Sequence, residues 1–90
     1  MTEERRLSKN KPCSPELLAI LSCNIKKLRE ERNLSQEKLA EKAKMHRTFI
    51  SLIERRGRNV TLGVIESLAH ALDVDVATLI TDNSEKKGEI

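Results

Sequence analysis

The sequence predicts an all-α fold, a compact bundle of five helices, and three observations predict it. Apolar residues recur at three- and four-residue steps in successive stretches. Hydroxyl or carboxylate residues stand just ahead of those stretches, where helix N-caps belong, and no stretch alternates with the period of two that a half-buried strand requires. The 90 residues make one small domain, and its single aromatic residue, one Phe, means the core must be aliphatic. A domain of this size buries only about 60–65% of its unfolded surface and is marginal alone, so self-association is an early expectation.

The first helix opens at Ser14-Pro15-Glu16, with a hydroxyl at the N-cap, a proline where its missing N–H costs nothing, and a carboxylate in the first turn. Leu17/Leu18, Leu21, Ile25 and Leu28 give it one apolar stripe through about Arg32, and Asn33 can take the left-handed conformation that ends a helix. Ser35 caps a second, two-turn helix that runs through about Ala43 with Leu39, Ala40 and Ala43 inward, and Leu34 is spaced to staple onto Leu39. Residues 44–46 form a tight turn from which Met45 drops into the core. A third helix follows from Arg47 to Arg55, with Phe49, Ile50 and Ile53 on its buried face. Thr61 caps a fourth helix whose stripe is Leu62, Ile65, Leu68/Ala69 and Leu72, and Asp75 caps a short fifth helix carrying Val76, Leu79 and Ile80. Residues 1–13 read as a flexible polar arm, 14–80 as the folded domain, and 81–90 as a polar tail.

Charge is unevenly distributed. Residues 44–59 hold five cations against one carboxylate, whereas residues 60–90 hold two cations against six carboxylates. A short basic segment of this kind suits a polyanion, although a solvated charged face has the same composition. Cys13 and Cys23 lack the spacing of a disulfide framework or metal motif and read as reduced thiols, and His46 and His70 stand apart from other ligands. No metal and no cofactor is expected. Nor does the sequence contain a nucleophile–base or carboxylate pair, so an enzyme is the weakest reading. The longest apolar run, residues 17–21, is far short of the ~20 residues that cross a bilayer, and the charged N-terminus lacks a signal peptide's apolar stretch. The expectation is a cytoplasmic protein with no membrane partner.

Two short helices joined by a three-residue turn, the second bearing cations and small polar groups outward, match the helix-turn-helix, whose second helix lies in the DNA major groove. The outward residues are Arg47, Thr48, Ser51, Leu52 and Arg55. Arg47 is the first candidate base reader, since a guanidinium takes the O6/N7 edge of guanine bidentately; the competing role is a phosphate contact. Thr48 and Ser51 can donate to bases or to phosphates. Leu52 is an apolar side chain on a polar face, suited to a thymine methyl, or else a chance exposed leucine. Arg55, Arg56, Arg58 and Asn59 follow as phosphate clamps, with Arg58 also placed to enter a minor groove.

Through Leu34-Ser35-Gln36-Glu37-Lys38-Leu39-Ala40 and Phe49-Ile50-Ser51-Leu52-Ile53-Glu54-Arg55 the chain resembles the Cro and phage-repressor-type helix-turn-helix family, over about residues 17–80. From His46 through Thr61 it is most similar to the controller proteins of restriction–modification systems. This resemblance implies a lambda-repressor-like domain and a homodimer on double-stranded DNA, bound at a palindromic operator near its own promoter. It also implies activation at one operator half, with RNA polymerase as a further partner, and repression at the other. It assigns Gln36 a phosphate bond and a bracing role, against a mere capping-turn residue, and pairs Arg29 with Glu54 as an ion pair between the first and third helices. One departure stands out: Lys44 occupies the left-handed turn where the family places glycine. An antitoxin, a phage-type repressor, or a protein-interaction module with the same fold remain alternatives. On the residues alone, Val64, Ala71, Val76 and Ile80 lie off the core stripe and are expected to pair two protomers.

Overall fold

The computed structural model describes residues 13–55 and 59–83. The expected arm before Cys13, Arg56 and Arg58 of the basic loop, and the tail from residue 84 lie outside them. Among the described residues every regular element is a helix: α1 (Pro15–Glu31), α2 (Gln36–Ala43), α3 (Arg47–Glu54), α4 (Leu62–Leu72) and α5 (Val76–Ile80). None is long and apolar enough to cross a membrane.

Three N-termini are built as the residue types dictate. Ser14 accepts from the Leu17 N–H at 3.1 Å, Ser35 from the Lys38 N–H at 2.9 Å, and Thr61 from the Val64 N–H at 3.1 Å. Asp75 does stand at the N-cap of α5, but its carboxylate makes no capping hydrogen bond, so that helix lacks the support its sequence promises.

Three C-termini share one closure. Asn33, Lys44 and Asp73 take φ of 55°, 58° and 61°, and the following N–H turns back onto the helix: Leu34 to the Arg29 carbonyl at 3.0 Å, Met45 to Ala40 at 2.9 Å, Val74 to Ala69 at 2.9 Å. In each case the residue after the left-handed one is apolar and packs against the core. The double constraint of a satisfied carbonyl and a buried anchor holds three side-chain-bearing residues in a conformation that costs about 1–2 kcal/mol per residue without glycine. Lys44→Gly should therefore raise stability by roughly 0.5–1 kcal/mol, net of glycine's greater freedom in the unfolded chain. A thermal melt reads this as a midpoint a few degrees higher; a lower midpoint would show that the lysine side chain contributes more than the strain removes.

Each helix supplies the centre. Ile25 of α1, Leu39 of α2, Ile50 and Ile53 of α3, Leu68 and Leu72 of α4, and Leu79 of α5 are almost wholly excluded from solvent. α1 packs on α3, α4 and α5, and α2 on α3 and α4, so the two-turn α2 and α3 are stabilised by neighbours rather than by length. Two expected stripe positions fall outside this core. Leu62 is 79% exposed: it is in phase with Ile65 and Leu68, but it starts α4, one turn beyond the part of the helix that neighbours cover. Leu17, in the first turn of α1, is 41% exposed for the same reason.

Candidate nucleic-acid interface

The turn Lys44-Met45-His46 joins α2 to α3, and Met45 reaches the core as its apolar character requires. His46 stands at the N-cap of α3 with an extended backbone and no side-chain capping bond, and no acidic residue occupies the first turn. No residue of α3 itself offsets the positive end of its dipole beside Arg47 and Thr48, a setting that favours an anion. With Ile50 and Ile53 buried and Phe49 partly so, the 3.6-residue repeat turns residues 47, 48, 51, 52 and 55 to the other side. Arg47, Thr48 and Arg55 are exposed, while Ser51 and Leu52 are half-buried. Leu52 is thus less free than a chance surface leucine, because it sits at the margin of the face. The helix ends at Glu54, with Arg55 as its C-cap rather than its last residue.

The back of α3 is held by a polar cluster. Arg29 Nε donates to Glu54 Oε2 at 2.7 Å and Arg29 Nη2 to Oε1 at 3.2 Å, with side-chain exposures of 12% and 4%. Gln36 Nε2 donates to the same Oε1 at 3.0 Å, and Arg29 Nη1 donates to the Leu34 carbonyl at 2.8 Å. An ionised carboxylate only accepts, so the amide orientation of Gln36 follows from its partner. The hydrogen bond to Glu54 is the chief reason the Arg29 guanidinium is held above its ordinary pKa, against the opposing pull of burial. One carboxylate therefore links α1, the start of α2 and the end of α3. Gln36, half-buried here, braces the third helix through Glu54.

Two residues in this framework escape a reading by apolar spacing. Ser22, 3% exposed, donates its hydroxyl to the Ile53 carbonyl at 2.6 Å and anchors the end of α3 to α1. Asn24, 4% exposed, reaches the far side of α1, toward α5. Both positions are in phase with the stripe, Ser22 between Leu18 and Ile25 and Asn24 between Leu21 and Leu28. That phase was the signal available. Asn59 is exposed, and its Oδ1 accepts the Cys13 N–H at 3.1 Å, which brings the start of α1 beside the loop that follows α3. Arg56 and Arg58 lie outside the described residues. Cys13 and Cys23 are free thiols, and among the described residues no three metal-ligating side chains gather. Val64, Ala71 and Val76 are half-buried against the protomer's own core, whereas Ile80 is 40% exposed.

A short helix presenting a polar, cationic face, packed by its back against a two-turn partner across a three-residue turn, defines a DNA-binding helix-turn-helix protein. The chain belongs to the helix-turn-helix family, whose model matches residues 25–79. It is 45% identical over 69 residues to control protein C.SmaI of Serratia marcescens, covering 77% of this chain and 82% of that protein. Among solved structures, the hypothetical transcription factor NHTF from Neisseria superposes with a TM-score of 0.76 at 30% identity, over 90% of this chain and 94% of that one. The restriction–modification controller protein C.Esp1396I, solved as a tetramer with its natural 35 base-pair operator, superposes with a TM-score of 0.68 at 39% identity, over 73% of this chain and 87% of that one. The chain is a DNA-binding transcriptional regulator and not an enzyme.

Proposed function

We propose that this protein is an autoregulating controller of restriction–modification gene expression, acting in the cytoplasm as a homodimer on a palindromic operator near its own promoter. The observation that carries the reading is how α3 is held: its inner face and its final carboxylate are locked to α1 and α2, and the exposed Arg47 and Thr48 share its other face with the half-buried Ser51 and Leu52, which supports that face as the one that enters a groove. Arg47 reads a guanine edge, Leu52 covers a thymine methyl, and Thr48 and Ser51 supply donors. Gln36, Arg55, Arg56, Arg58 and Asn59 hold phosphates on either side, and Arg58 enters the minor groove. RNA polymerase joins at the activating half of the operator. The similarity to control protein C.SmaI supports the regulatory assignment.

The test is a set of competition titrations on the duplex upstream of its own gene and on single-base variants of it. Arg47→Ala should lose about 1–3 kcal/mol on the preferred site and relax base choice at one position. Arg56→Ala should weaken every sequence alike and lower the slope of log affinity against log salt by about 1. An equal loss on all variants for Arg47→Ala would make it a phosphate contact. Binding that ignores salt would point to a protein-interaction module instead. An adjoining endonuclease and methyltransferase distinguish the controller from an antitoxin or phage-type repressor.

A further inference from the structure

We infer that Asn24 is the positioning residue that sets the end of α5 and, through it, the surface on which two protomers meet. The inference rests on the dimer reading above. α5 spans only five residues, its N-cap carboxylate makes no hydrogen bond, and its C-cap, Thr81, is extended at φ −98° and ψ 137°. It therefore has none of the left-handed closure that ends α1, α2 and α4. Its last carbonyls are satisfied by side chains instead.

Asn24, buried on α1, supplies most of that closure. Its Nδ2 donates to the Leu79 carbonyl at 2.8 Å, to the Thr81 carbonyl at 2.8 Å and, more weakly, to Thr78 at 3.2 Å. Its Oδ1 accepts from Asn83 Nδ2 at 3.2 Å, and Asn83 also reaches the Thr78 carbonyl at 3.2 Å. The Thr81 hydroxyl closes onto the Ala77 carbonyl at 2.6 Å. Three carbonyls facing one amide require the nitrogen on that side, and only a short carboxamide offers two donors and an acceptor in one plane at this reach. Aspartate would set an oxygen against three oxygens. Serine would provide one donor.

The two 2.8 Å bonds fall on the carbonyls flanking Ile80, with Leu79 fully buried on one side of it. Holding those carbonyls while Leu79 occupies the core dictates which way Ile80 faces. Without Asn24, a helix of little more than one turn loses its polar closure, and the exposed apolar side chain loses its fixed direction.

The experiment compares full-length wild type with Asn24→Ala, Asn24→Asp and Asn83→Ala, at a temperature where circular dichroism shows wild-type helix content. Sedimentation reads the dimer dissociation constant, and anisotropy reads affinity for a full palindrome and for a duplex with a single half-site. Both Asn24 variants should raise the dimer dissociation constant about tenfold or more and weaken full-palindrome binding to match, with half-site affinity unchanged. Asn83→Ala removes only the exposed member and should show the same split, smaller, even if the Asn24 variants fold poorly. An unchanged dissociation constant in a dimeric Asn83→Ala overturns the inference while leaving the dimer reading intact. So does a parallel loss of half-site and full-site affinity, which marks a general structural role. A wild type that stays monomeric overturns both.

Discussion

Replacing Glu54 by glutamine should cost about 3–5 kcal/mol of stability, the largest single effect expected outside the hydrophobic core. The isosteric change keeps the shape and removes the charge. Arg29, 12% exposed, is then left as a buried cation, and the new amide sets an NH2 group against donors that now find carboxylate oxygens at 2.7–3.2 Å. Since about 1 kcal/mol moves the midpoint of a domain this size by roughly 4–8 °C, the melt should fall by roughly 10 °C or more. Arg29→Ala should cost a similar amount, because the stranded partner is then a carboxylate with 4% exposure. The double variant should lose less than the sum, as a shared partner demands. An unchanged midpoint for Glu54→Gln would falsify the view that the pair carries the third helix.

Ile80→Glu is the second large effect. The side chain is 40% exposed in the protomer, so a carboxylate there is tolerated by the fold and objectionable only where another surface covers it. The expected product is a folded monomer. In the proposed dimer, two recognition helices held about 34 Å apart would bind one operator as a linked pair, and a monomer forfeits that linkage, so operator affinity should drop about 100-fold or more. The C-terminal third, where acidic residues outnumber basic ones, suits a surface turned away from DNA. Sedimentation of Ile80→Glu as an intact dimer would move the interface elsewhere, with exposed Leu62 and Leu17 the first residues to examine there. A monomeric wild type at micromolar concentration would remove the argument for a palindrome.

How far the sequence reveals this structure depends on the range of the interaction involved. Ser14, Ser35 and Thr61 cap helices through bonds to residues three positions on, and Asn33 and Lys44 end them through bonds of similar span; such contacts are written in adjacent letters. The aliphatic stripe gives the phase of each helix but not how far its neighbours extend, which is why Leu17 and Leu62 reach solvent while Ile25 and Leu68 do not. Ser22 and Asn24 illustrate the other limit. Their partners lie 31 and up to 57 residues away, and a polar letter in an apolar stripe reads as an interruption until the fold shows what it bonds. The exposure of Arg47, Thr48 and Arg55 is legible because the phase of one helix defines it, whereas the half-burial of Ser51 and Leu52 depends on what packs beside that helix. Arg29 and Glu54, 25 residues apart, can be paired from the sequence only through the family resemblance.

The burial of Glu54 also bears on how fast the protein finds DNA. It is the only carboxylate between residues 44 and 59, and it is neutralised from behind by a guanidinium belonging to another helix. Within that segment no exposed carboxylate stands beside the exposed cations Arg47 and Arg55, and the acidic groups nearest Arg47 are Glu37 and Glu41 of α2, which share a surface depression with it. The field of such cations acts over about a Debye length and draws the two partners together before any base is read. On the proposed reading, the interior ion pair that fixes the helix also favours a fast encounter with DNA, because it keeps a carboxylate off the face that meets the duplex.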